Sequence, residues 1–173
     1  MKHSGRCGLV SLVLLLGLTG AWLMAAADDP ADEKGLGMRP RGCHWIMGDG
    51  SALFNSERGA FEGEAVLTID GHPVVADVRV MLLGIVREES DMTLVAVTSH
   101  EFHFADGAAL VTFDDAWLTP TTEEGVYALS VRAVVETGWG DYRLARGRMV
   151  LTGEIDLVAG ITSWTVTGKI CFF

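Results

Sequence analysis

Two histidines in the stretch HEFHF, His100 and His103, are the first residues of this sequence whose type and spacing suggest chemistry. Imidazole is a common metal ligand and acid–base group, so two converging histidines would indicate a reactive site. The surrounding segment is rich in Val, Thr and Phe, which predicts a β-strand, and residues three apart in a strand point to opposite faces. We therefore expect separate structural roles, with His100 on the face of Phe102 and His103 on the face of Glu101.

Further polar residues occupy predicted strand positions opposite the apolar ones. They form either a solvated outer wall, where an exposed ion pair contributes under about 1 kcal/mol, or a few inward groups that orient a ligand in an apolar pocket. Four tryptophans leave a similar choice between the aromatic wall of one cavity and packing in the core and at the rim. The polar residues are Asp77, Arg79, Glu101, His103 and Arg132, and the tryptophans are Trp45, Trp117, Trp139 and Trp164.

Neither a metal site nor a cofactor site is expected. The acidic residues Asp114, Asp115, Glu123 and Glu124 lack the alternating oxygen spacing of a calcium loop, so we expect a strand end and a solvated turn. The segment 35–42, GLGMRPRG, has no predicted strand before it and no helix after it, which argues against dinucleotide binding.

The elements that position these residues are β-strands. From residue 43 onward apolar residues recur with a period of two, and no helical stripe is longer than two turns. Seven or eight such runs joined by short turns favour an up-and-down meander that closes on itself and so removes its exposed edges. We expect a small closed antiparallel barrel over residues 43–173, with Gly84, Gly153 and Gly168 at sharply coiled corners where a side chain would collide. A β-sandwich and an outer-membrane barrel with a polar lumen are the alternatives.

The first 27 residues have the layout of an export signal. Lys2 and Arg6 precede an apolar run from about Gly8 to Leu23, and an A-x-A ending at Ala27 predicts cleavage there. An uncleaved membrane anchor is the alternative. Residues 28–42 are charged and rich in Gly and Pro, which is typical of a flexible lead-in. We therefore expect a secreted or periplasmic protein without stable membrane insertion.

The net charge limits the kinds of partner. The formal net charge of the 173 residues is −10, and removal of Lys2 and Arg6 with the signal makes it −12. An acidic surface repels phosphate backbones, so nucleic acid is not an expected partner.

Two cysteines remain after that cleavage, Cys43 and Cys171. In an exported chain such a pair most often forms a disulfide, because no cytosolic reductant keeps it open. Two unpaired core thiols are the alternative. In the last run Cys171 falls on the polar face, opposite Trp164 and Phe172, which is compatible with a disulfide to an N-terminal segment outside the barrel.

The segment 138–148, GWGDYRLARGR, resembles the glycine turn and following strand of the allene oxide cyclase and dirigent barrels. The terminal GKICFF stands where such barrels end in a last core strand, and elsewhere the likeness extends only to strand order. The matching residues are Gly138, Gly140, Tyr142, Arg143, Ala145, Arg146 and Gly147.

This resemblance implies an eight-stranded calycin-like barrel, often oligomeric, with an apolar cavity open at one end. Members of the family catalyse or steer ring closure and coupling of hydrophobic or phenolic intermediates, or have no assigned activity. The polar residues that cyclase members use match no position of this sequence, so no catalytic residue is carried over. The segment itself is expected to be a turn at Trp139 and Asp141, then a strand whose Tyr142, Leu144 and Met149 pack inward.

Three functions follow as expectations. The first is a barrel that binds an apolar or aromatic small molecule or a partner, with no cofactor and with self-association left open. The second is an enzyme of the cyclase or isomerase type, and the third is a structural or interaction domain. The residues expected to contact a ligand are Tyr142, Trp164, Trp117, Arg79 and His103.

Cleavage of the predicted export signal can be tested directly. When the full chain is expressed with its signal in a secreting host, the exported protein should begin at Asp28, as read by N-terminal sequencing or intact mass. Recovery of the protein in the membrane fraction with residues 1–27 still attached would support the anchor instead.

Overall fold

The computed structural model describes residues 41–89 and 91–173. The predicted signal, residues 1–27, lies outside the described residues, as does the lead-in except for Arg41 and Gly42. The first strand begins at Gly42, one residue before the predicted start of the barrel.

The described residues form eight antiparallel strands and one short 3-10 helix. The long runs of alternating apolar residues become strands, and the Gly- and Asp-containing clusters between them become tight turns. The strands are β1 (Gly42–Asn55), β2 (Ala60–Ile69), β3 (His72–Glu88), β4 (Leu94–Phe104), β5 (Ala109–Pro120), β6 (Val126–Trp139), β7 (Arg146–Asp156) and β8 (Ile161–Phe172), and the 3-10 helix is Gly140–Tyr142.

No helix within these ranges has the length and apolar character needed to cross a membrane.

Each strand pairs with its neighbours in the chain, and β1 also pairs with β8. The closing pair runs in unbroken register from Gly42 opposite Phe172 to Leu53 opposite Ile161. The sheet is therefore one closed up-and-down barrel, which confirms the predicted fold and excludes the two stacked sheets of a sandwich.

The two ends of the barrel differ. The end that holds the start of β1, the end of β8 and the turns after β2, β4 and β6 is called here the disulfide end, and the opposite end is called the open end. At the disulfide end the rings of Phe104 and Tyr142 stack with centroids 4.4 Å apart, and Phe172 lies 5.7 Å from Tyr142. Tyr142 and Ile170 are completely buried there, so this end is filled.

The segment 138–148 forms part of that filled end. Tyr142 is buried as predicted, but it ends the 3-10 helix instead of lying in a strand, and β7 begins only at Arg146. The prediction for Leu144 was wrong, because this residue lies in the connection and is 53% exposed, whereas Met149 is buried as expected. Gly140, with φ of +59°, provides the left-handed turn that starts the helix.

Cys43 and Cys171 form a disulfide bond, as predicted. The two residues lie directly opposite each other on β1 and β8, so Cys43 belongs to the first strand and not to a segment outside the barrel. The bond closes a loop with a sequence separation of 128. In the loop-entropy model a cross-link of this span restricts the unfolded chain by at most about 4–5 kcal/mol.

The strand glycines serve two different purposes. At Gly153 an added Cβ would collide with the carbonyl oxygen of Ser163, and at Gly168 with that of Arg148, so these two positions allow close approach of neighbouring strands. Gly84 does not fit this expectation, because no heavy atom lies within 4 Å of its added Cβ. It lies instead at an irregularity in the pairing of β3 with β4.

This difference predicts that a glycine-to-alanine substitution lowers the stability of the protein more at Gly153 than at Gly84. Gly153→Ala should lower the free energy of unfolding by about 1–3 kcal/mol, because backbone atoms of β8 must move. Gly84→Ala, the matched control, should change it by less than about 0.5 kcal/mol. Urea denaturation midpoints measure both, and equal midpoints for the two variants would contradict the assigned role of Gly153.

Candidate ligand-binding cavity

A cavity of about 100 Å³ lies inside the barrel towards the open end. Side chains from all strands except β1 contribute to it, and most of them are aliphatic. Leu82 and Leu157, both about half exposed, lie at its mouth. The lining residues are Phe61, Val80, Leu82, Thr98, His100, Ala116, Leu118, Leu129, Val131, Ile155, Leu157, Thr162 and Trp164.

The floor of the cavity is aromatic. The ring of Trp164 lies edge-to-face with the rings of His100 and Phe102, at centroid distances of 6.1 and 6.2 Å. A Cβ at Gly50, the neighbour of Trp164 on β1, would collide with the indole ring, so the glycine provides the space that the ring occupies. Phe102, 1% exposed, separates the cavity from the filled disulfide end.

A buried histidine–aspartate pair adjoins this floor. His100 Nδ1 lies 2.7 Å from Asp114 Oδ2, and the two side chains are 3% and 0% exposed. Thr98 Oγ1 donates to the same carboxylate oxygen over 3.2 Å. Thr112 also lies close, since its hydroxyl donates to the carbonyl of His100. Threonines on both strands, β4 and β5, thus hold the pair in place.

Asp114 is the functional candidate that the sequence interpretation missed. It was expected at a strand end beside Asp115, but it lies within β5 on the inward face, between buried Thr112 and Ala116. The signal that identifies it is the period of two, which groups Asp114 with Thr112 and Ala116 and separates it from exposed Asp115.

The pair defines what the cavity can do chemically. A carboxylate that accepts a hydrogen bond from Nδ1 fixes the ring of His100 in one tautomer and orientation, which leaves Nε2 as the other functional atom. Within residues 41–89 and 91–173, no group of three or more His, Cys, Asp or Glu residues could hold a metal ion. An imidazole held by a carboxylate in this way is suited to hydrogen bonding or proton exchange with a bound molecule.

The five predicted contact residues occupy three different places. Trp164 lines the cavity, and Tyr142 is buried at the disulfide end. Arg79, His103 and Trp117 lie on the outer face of the barrel, so the structure places none of them in the cavity.

Contacts on the outer wall explain those positions. Arg79 stands opposite Glu62 on one side and Glu101 on the other, and His103 Nε2 lies 3.3 Å from Glu101. The Arg132 guanidinium lies 5.1 Å from the centre of the Trp117 ring. The polar group identified in the sequence is thus a solvated outer wall, and His100 and His103 point to opposite faces as predicted.

The remaining tryptophans do not build an aromatic wall. Trp45 and Trp139 are 64% and 54% exposed, and Trp117 lies on the outer face. Only Trp164 among the four points inward. The four tryptophans therefore have separate packing roles and do not form the aromatic wall of one cavity.

Three carboxylates with a lowered pKa lie away from the cavity. Side-chain hydrogen bonds from Asn55 and Arg58 lower the pKa of Glu62. A hydrogen bond with His44 lowers the pKa of Asp70, and the backbone N–H of Thr93 lowers that of Asp91. None of the three lines the cavity.

Comparisons with protein-family models, with curated proteins and with solved structures find no match to this chain.

We expect the buried pair of His100 and Asp114 to contribute more to the free energy of unfolding than the exposed pair of His103 and Glu101. Asp114→Ala should lower the free energy of unfolding by about 3 kcal/mol or more, because it leaves the buried His100 Nδ1 without a partner. Glu101→Ala, which removes the partner of exposed His103, should cost less than about 1 kcal/mol. Chemical denaturation of both variants at neutral pH measures the difference, and similar values would show that the inner pair contributes no more than a surface pair.

Proposed function

We propose that this protein is a binding module that holds a small apolar group in the cavity at the open end of the barrel. The observation that carries the proposal is the cavity, a space of about 100 Å³ with an almost wholly apolar lining. An empty apolar space lacks the dispersion contacts that a filling group would make. Engineered apolar cavities of about 150 Å³ bind benzene. The size therefore suits one ring or one branched alkyl group.

Apolar side chains around the mouth support the same proposal. Phe54, half exposed, packs on Phe61 of the lining with ring centroids 5.2 Å apart. Leu83, Ile85 and Val86 near the end of β3 are more than half exposed. A ligand larger than the cavity would place its remaining apolar part against these residues. Binding of a partner and self-association stay predictions.

We also propose that the protein works outside the cytoplasm. The disulfide between Cys43 and Cys171 supports this proposal, because structural disulfides persist in oxidising compartments. The export signal predicted over residues 1–27 points to the same compartment.

A second candidate function is catalysis of the cyclase or isomerase type, as the resemblance to allene oxide cyclase and dirigent barrels implies. The observation that favours it is the orientation of His100 by Asp114 beside an apolar space, since a histidine held by a carboxylate is suited to general acid–base catalysis. A structural or interaction domain is the third candidate, and it would be favoured if no small molecule binds.

Blocking the cavity tests the binding proposal. Benzene should bind the wild-type protein and raise its unfolding temperature, because a ligand that binds the folded state stabilises it by mass action. Ala116→Leu places three further carbons in the cavity and should weaken benzene binding at least tenfold while the barrel still folds. The control is Ala128→Leu, which makes the same change on the exposed face of β6 and should leave binding unchanged.

The measurements are isothermal titration and the unfolding midpoint at saturating benzene. No binding to the wild-type protein, or equal binding to the Ala116→Leu variant, would contradict the proposal.

A further inference from the structure

Two nitrogen atoms at the floor of the cavity have no hydrogen-bond partner within the described part of the chain. Trp164 Nε1 is buried without a partner, and the whole residue is 3% exposed. His100, 2% exposed, uses Nδ1 for Asp114, and Nε2 has no protein partner in residues 41–89 and 91–173. A buried polar atom without a hydrogen bond is costly, so Trp164 Nε1 calls for an acceptor, and His100 Nε2 stands beside it on the same cavity floor.

The other polar groups of the lining are already engaged. Thr98 donates its hydroxyl hydrogen to Asp114, and Thr162 donates its own to the carbonyl oxygen of Glu154 over 3.0 Å. Among the polar side chains of the lining, Trp164 Nε1 and His100 Nε2 are therefore the atoms that make no hydrogen bond at all, and Asp114 Oδ1 is also buried without a partner in the described part of the chain.

These two nitrogens have opposite characters. An indole N–H is a donor only. In a neutral imidazole whose Nδ1–H donates to a carboxylate, Nε2 carries a lone pair and accepts. Thr98 helps to hold the carboxylate of Asp114 in place, because it donates to Asp114 Oδ2, the same oxygen that faces His100. With His100 in this neutral tautomer, the floor presents one donor and one acceptor.

The two nitrogens belong to neighbouring rings of the floor. The ring centroids of His100 and Trp164 lie 6.1 Å apart, with the ring planes perpendicular. Both residues also line the same cavity, so a polar group seated on the floor meets both rings.

We infer that the cavity recognises a small alcohol, an apolar body with a single hydroxyl group directed at the floor. The hydroxyl accepts from Trp164 Nε1–H and donates to His100 Nε2, and the carbon skeleton fills the apolar space above. A hydroxyl is the smallest group that both donates and accepts, whereas a carbonyl oxygen only accepts and satisfies Trp164 alone. This inference rests on the proposed binding function and adds the chemical class of the ligand.

Three probes of equal size test it on the full mature protein: cyclopentanol, cyclopentanone and methylcyclopentane, each with six non-hydrogen atoms. Cyclopentanol should bind most tightly, cyclopentanone less tightly and methylcyclopentane least. In a cavity without hydrogen-bonding groups the order is reversed, since an unpaired buried hydroxyl weakens binding by about tenfold or more.

A variant identifies the donor. Trp164→Phe keeps an aromatic floor without the N–H, and it should lower the affinity ratio of cyclopentanol to methylcyclopentane by about tenfold. The control is Trp139→Phe on the exposed surface, which should leave the ratio unchanged.

A second measurement on the wild-type protein does not depend on the folding of that variant. The ¹⁵N resonance of His100 Nε2 should shift when cyclopentanol binds and stay in place with methylcyclopentane, because only the alcohol donates to that nitrogen.

The results distinguish failure of apolar binding from failure of hydroxyl recognition. If none of the probes binds, the proposed function fails and the inference fails with it. If methylcyclopentane binds as tightly as cyclopentanol or more tightly, or if the Nε2 resonance does not respond to the alcohol, the cavity is a purely apolar site and only the inference is overturned.

Discussion

The pairing of β1 with β8 turns a flat antiparallel sheet into a tube, and the interior of this domain depends on that pairing. An open sheet of eight strands would leave two edges with unpaired N–H and C=O groups and one apolar face in water. Closure satisfies both edges and directs every inward side chain into a shared interior. The width of that interior follows from the number and tilt of the strands, so a cavity remains wherever the side chains are too small to fill it.

The two halves of the barrel fill this space differently. Aromatic rings, including Phe104 and Tyr142, stack across the disulfide end. Towards the open end aliphatic side chains, among them the smaller Ala116 and Val131, surround a cavity instead of filling it. His100 lies at the boundary of the two regions. A buried pair such as His100 with Asp114 is weak evidence for stability, because apolar residues of similar volume often serve as well. Its place beside the apolar cavity is what links the pair to recognition.

The alternation of apolar and polar residues was sufficient to predict the barrel and its two faces, because successive side chains of a strand point alternately inward and outward. Val131 is buried and Arg132 exposed as that period requires. The doublet Asp114–Asp115 could not be resolved in this way, because both residues are acidic and the partner that holds Asp114 lies on another strand. The 3-10 helix that ends at Tyr142 was also missed, since its conformation depends on rings from β4 and β8 that meet only in the closed barrel.

The positions of Cys43 and Cys171 make the disulfide bond dependent on the correct pairing of the first strand with the last. The two thiols belong to the first and last strands, and six strands lie between them in the chain. A hairpin that slips by one residue exchanges its two faces and moves every later strand out of place. The native register therefore places the two sulfur atoms side by side on the strand pair that closes the barrel. A slipped register would separate them, so the bond holds β1 and β8 in the one alignment that completes the tube.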